Sequence, residues 1–183
     1  MVERATPLTI LTPLRRWWTP WVRFIWLVAA ITPLVARPLR KLSFIHFAHW
    51  SLITRWPPDR SALREAGVDL PWMLFQTNYN GSAEQYIAAF CRIVPGRIGL
   101  LYRGAYGFPG AKHAGPVARY IDHNNFPASH FYSAYPRATV TMVTSALELR
   151  RRLDAFDRRS RDLDPRSFRI AYHRFLEQVQ SRL

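Results

Sequence analysis

The stretch from Arg15 to Lys41, RRWWTPWVRFIWLVAAITPLVARPLRK, constrains this chain more than any other part of it. Trp17, Trp18, Trp21 and Trp26 crowd its start, with Arg15, Arg16 and Arg23 interleaved. From Phe24 to Ala36 no residue is charged. As a helix that run would rise ~20 Å, short of a hydrocarbon core roughly 30 Å thick. Extending it back to Trp17 brings in Arg23, whose guanidinium would have to snorkel. Basic residues flank both ends, with Arg37, Arg40 and Lys41 after the run, so charge assigns no orientation. Pro33 is expected to kink or end the helix, and Pro38 to close the segment.

A helix through this stretch places Arg16, Thr19 and Arg23 on a narrow polar stripe opposite Trp17, Trp21, Phe24 and Val28. Rings at headgroup depth with guanidinium groups on phosphate are what an interfacial helix uses. Three arrangements stay open: an in-plane or re-entrant anchor, a single span, and a helix buried against protein. The first two favour a membrane location, expected on the cytoplasmic face. A secretory signal peptide does not fit, because a prolyl, basic stretch follows Ala36 where a small-residue cleavage site would lie.

Net charge points the same way. The chain carries 26 basic against 12 acidic residues, and all the basic ones except Lys41 and Lys112 are Arg. Residues 1–41 hold +6 of the net +14, so an anionic partner is implied, and its basic side is richest where the Trp lie. A 49% apolar content excludes disorder. The single cysteine, Cys91, excludes an internal disulfide and any multi-cysteine metal site within the chain.

Beyond residue 41 the pattern predicts a mixed domain. Ser43 to Thr54 is aromatic and branched and reads as a strand, as does Pro71 to Tyr79. Arg60 to Gly67 reads as a helical turn. Asn80-Gly81 turns the chain, and Ser82 with Gln85 opens a helix whose apolar face is Tyr86, Phe90 and Ile93. Arg97–Tyr106 and His130–Tyr135 are expected to be third and fourth strands, with a short helix over Pro116–Ile121 between them. Met142, Ala146, Leu149, Leu153 and Phe156 mark a helix from Thr139, and Asp164-Pro165 caps a last one.

The expected fold is therefore α+β: a four-stranded antiparallel, ferredoxin-like sheet in permuted order, with helices on one face. The expected divisions are an N-terminal segment (1–41), the α+β domain (42–160) and a C-terminal helix (161–183). LSFIHFAHW (42–50) and LFQTNYNGSAEQYI (74–87) resemble segments of uncharacterised bacterial proteins of the ferredoxin-like, dimeric α+β-barrel type. That group includes small monooxygenases and dye-decolourising peroxidases. The peroxidases' Gly-x-x-Asp-Gly motif is absent, so the resemblance bears on the fold more than on chemistry.

No constellation of catalytic residues stands out. His46 and His49, three apart on a strand, face opposite ways and cannot share a metal. His113, His123 and His130 match no zinc spacing, and nothing distinguishes any His as a haem ligand. No cofactor is predicted, with haem as the alternative. The Gly/Pro-rich stretch from Gly107 to Pro127 is long for a plain connection. It suggests a docking loop carrying Tyr106, Phe108, Lys112, His113, Arg119 and His123. Arg150–Arg152 and Arg158–Arg161 form a basic patch, either a solvated face or a second phosphate-contacting surface. It lacks interleaved Trp, which disfavours nucleic acid.

Together these features predict a membrane-attached, non-catalytic accessory subunit. Arg15, Arg16, Trp17, Trp18, Trp21, Arg23, Trp26, Arg37, Arg40 and Lys41 would bind lipid, and the loop would dock on a larger membrane complex or a second copy. The rival is an α+β-barrel-type oxidoreductase acting on a hydrophobic substrate.

Overall fold

The computed structural model describes residues 5–32, 42–55 and 70–180. It is a mixed α+β structure dividing into two compact units, residues 1–137 and 138–183. The first unit contains β1 (Thr6–Pro13), a 3-10 turn (Arg16–Trp18), α1 (Thr19–Ile31), β2 (Ile45–Ile53) and β3 (Trp72–Tyr79). It continues with α2 (Ala83–Ile93), α3 (Pro95–Leu101) and α4 (Ala114–His123). The second unit holds α5 (Val140–Ser160) and α6 (Pro165–Val179).

The sheet is antiparallel and three-stranded, in the order β1-β3-β2. Side chains alternate across a strand, so β3 buries Met73, Phe75, Thr77 and Tyr79 on one face. Leu8 and Ile10 of β1 join them, as do Ala48 and Trp50 of β2. Tyr86, Ile87 and Phe90 of α2 and Val117 of α4 complete this core. Gly81, at φ 96, supplies the left-handed residue that turns β3 into α2. The Ser82 hydroxyl then accepts a hydrogen bond from the Gln85 amide, as the capping signature requires.

The strands at 43–54 and 71–79 and the helices at 82–94, 116–121, 139–156 and after Asp164 are all present, with small shifts at their ends. The four-stranded ferredoxin-like sheet is not. Residues 97–106 are helix and turn: Pro95 starts α3, and Ile98, Leu101 and Tyr102 turn inward together. Three- and four-residue spacing fits that set as well as alternation fits Ile98, Leu100 and Tyr102, and Leu100 is exposed. Residues 129–135 form no strand, and Phe131, Tyr132 and Tyr135 are exposed. Their aromatic content favours a strand only where a neighbouring strand and a core face receive it.

The third strand is β1, which the sequence reading passed over. Leu8, Ile10 and Thr12 alternate inward along it, continued by Leu14. Pro7 and Pro13 are tolerated because they lie on the outward-bonding side of an edge strand. On that side Leu11 donates to the Asn124 carbonyl, while Thr9 and Pro13 accept from Phe126 and Tyr106. Segments 104–106 and 124–126 thereby close the β1 edge. The helical turn expected at 60–67 lies outside the described residues.

Candidate functional site

The Arg/Trp stretch does form a helix, but one face of it belongs to the core. Leu14, Trp18 and Val22 are buried with Met73, Leu101, Tyr102 and Tyr120, and Ile25 and Trp26 pack against them. The Trp18 indole Nε1 donates to the Leu101 carbonyl at 3.2 Å. Gly104 makes this approach feasible, because a Cβ there would lie 2.1 Å from Trp18 Cγ. The adjacent Arg15 amide donates to the Gly104 carbonyl at 2.9 Å. Trp18 is thus a structural anchor, and Trp26 is half-buried beside it.

The opposite face of α1 is apolar too and has no cover among the described residues. Trp17 of the preceding 3-10 turn (58% exposed) and Trp21 (54%), Phe24, Leu27 and Ile31 (72%) of α1 succeed one another at four, three, three and four residues. That is one continuous helical stripe. Trp21 meets Phe24 edge to face, with ring centroids 6.1 Å apart. Arg15, Arg16 and Arg23 are exposed, and the Arg15 guanidinium lies 5.5 Å from the Tyr106 ring centre. Leu27 and Ile31 were missed as members of the stripe, although their spacing from Phe24 was legible. Val28, expected there, is half-buried. Arg37, Arg40 and Lys41 lie outside the described residues.

Among the described residues no helix is long and apolar enough to cross a membrane. The spanning arrangement of the N-terminal segment therefore has no support. With Val22 wholly buried in the protein core, α1 has only its other face to offer.

The six residues of the expected docking loop separate. Phe108 turns inward between Tyr102 and Tyr120, at 5.4 and 5.3 Å between ring centres. Lys112 and His113 are exposed ahead of α4. Tyr106, Arg119 and His123 line one surface cleft of about 640 Å³ together with Pro13 and Pro116. Residues 114–123 are helical, so the connection is built on α4 and anchored by Val117 and Tyr120.

Tyr86, Tyr102 and Tyr120 surround an apolar cavity of about 50 Å³ between the sheet and helices α2 to α4. Burial pushes all three phenols above the ordinary tyrosine value near 10, Tyr120 to about 12. The Tyr120 hydroxyl donates to Thr12 Oγ1 at 3.3 Å. Burial likewise raises Cys91, which makes its thiol a poor nucleophile. No histidine lines this cavity. His46 and His49 are exposed on β2. No group of three or more His, Cys, Asp or Glu able to hold a metal occurs among the described residues.

No protein family, curated protein or solved structure matches this chain.

Proposed function

We propose that this protein is a monotopic, non-catalytic accessory protein of a lipid surface, held there by the outer face of α1. The observation that carries the reading is a helix apolar on both sides, with one side already spent on the core. A helix hydrophobic all round is ordinarily buried all round, and a contiguous exposed apolar patch marks an interaction surface. Lipid is favoured over a purely apolar protein partner by the Trp and Arg composition of the patch. Trp17 and Trp21 offer rings at headgroup depth, and Arg15, Arg16 and Arg23 offer charge to phosphate. Inserting a large apolar side chain contributes about 1.5–3 kcal/mol when burial is complete. Each Arg near an anionic leaflet adds about 1 kcal/mol. The cleft of Tyr106, Arg119 and His123 is the companion surface on which a larger membrane protein would dock.

Flotation with vesicles containing phosphatidylserine tests the anchor. Wild type should float and stay bound in high salt, because salt screens only the charge contribution. Trp17→Ser/Trp21→Ser/Phe24→Ser should float at low salt and release at high salt. The replaced side chains are exposed, so its circular dichroism should match wild type. A triple variant that floats in high salt as wild type does would overturn the reading.

A further inference from the structure

The second unit carries a feature that the α1 anchor does not use. Between α5 and α6 lies an open groove of about 480 Å³, lined by Arg151, Arg152, Arg159 and Arg174. Its apolar floor includes Phe156 and Phe175, stacked with ring centres 4.9 Å apart. Glu148 is the one carboxylate in the lining, and it is engaged by Arg152. Arg152 also reaches the Gln178 carbonyl, bridging the two helices. Arg159 donates to the Ala155 carbonyl. Arg151 and Arg174 make no hydrogen bond or ion pair among the described residues, although they come from different helices and converge on one groove.

An ordinary solvated arginine face is balanced by neighbouring carboxylates, as Arg161 is by Asp157. This groove is not balanced. Converging guanidinium groups select phosphate or carboxylate oxygens. The aromatic floor adds an apolar requirement that inorganic phosphate does not meet. The groove also has room for more than a phosphate ion.

We infer that the α5–α6 groove binds an anionic phospholipid, its phosphate between Arg151 and Arg174 and its glycerol and first methylenes on Phe156 and Phe175. This site is independent of α1. It would hold a single lipid molecule, whereas α1 contacts the lipid surface as a whole.

The test uses the full chain and dihexanoyl phosphatidate kept below its micelle concentration, with binding read from phosphorus resonance broadening and equilibrium dialysis. Wild type should bind, and Arg151→Gln/Arg174→Gln should bind at least about tenfold more weakly, since two charge-assisted contacts are lost. Arg158→Gln/Arg169→Gln removes the same charge outside the groove and should bind as wild type. Trp17→Ser/Trp21→Ser/Phe24→Ser should also bind normally, which separates this site from the α1 reading. An equal loss in both Arg pairs would show bulk charge attraction and overturn the inference. So would inorganic phosphate binding as tightly as the lipid. Stronger Arg151- and Arg174-dependent binding of a single-stranded oligonucleotide would reassign the groove to nucleic acid.

Discussion

The two units use amphipathic helices in opposite ways. In the first, the sheet and its helices bury a dense set of large side chains, from Leu14 and Met73 to Tyr86 and Phe90. In the second, Phe175 and Val179 are the buried apolar side chains among the described residues, while Met142, Val143, Leu147 and Leu153 of α5 stay exposed. Both units have clear helical periodicity. Periodicity specifies which side of a helix is apolar, and tertiary packing decides whether that side is covered. α1 joins the two behaviours in a single helix, buried like the first unit on one side and exposed like the second on the other.

The contrast is broken most severely by removing residues 1–41. That deletion strips β1 from β3 and takes Leu14, Trp18 and Val22 out of the core, so the first unit should lose its cooperative unfolding transition in calorimetry. Retention of a sharp transition would mean that the N-terminal segment is an appendage after all. Gly104→Ala is next. Its new Cβ meets the fixed end of the Trp18 side chain, and denaturant unfolding should show a loss of about 3 kcal/mol from overpacking. Amide exchange in α5 and α6 should be unchanged.

Alkaline pH should separate the units more gently. Unfolded phenols ionise near 10.0, whereas Tyr86, Tyr102 and Tyr120 hold their protons to higher pH because they are buried. Between those values the folded state binds more protons than the unfolded one. Its stability is therefore intact below pH 10 and falls as pH rises above it, by up to ~1.4 kcal/mol per pH unit for each tyrosine. Thermal melts read through the Trp, all in the first unit, should show a flat Tm below pH 10 and a decline above it. The smallest effect is expected at Met142, where Asp should change stability by no more than about 0.5 kcal/mol because the side chain is 57% exposed.

How much was legible follows from where each signal sits. Ser82, Thr139 and Asp164 each accept amide hydrogen bonds at a helix start, and such caps are local, so α2, α5 and α6 could be read directly. β2 and β3 were legible from branched and aromatic runs bounded by turn residues. β1 carried the same alternation at Leu8, Ile10 and Thr12, in a run whose prolines are compatible with an edge strand and not with a central one. Arg97–Tyr106 suited either period, and only contact with Trp18 and Leu14 selects the helix. The helix at the Arg/Trp stretch was legible as well. Its partition was not, because Trp18 and Trp17 are chemically identical, and the Leu101, Tyr102 and Gly104 that receive Trp18 lie far away in sequence.

The most direct test of the outer-face assignment places an environment-sensitive nitrobenzoxadiazole label on Leu27→Cys or, separately, on Ser51→Cys, each in a Cys91→Ser background. Both native side chains are exposed, one on the α1 stripe and one on β2. On adding phosphatidylserine vesicles, the label at 27 should brighten and shift to the blue, while the label at 51 should keep its aqueous emission. An unchanged spectrum at 27 on vesicles that bind the protein, or an equal shift at both positions, would contradict the account.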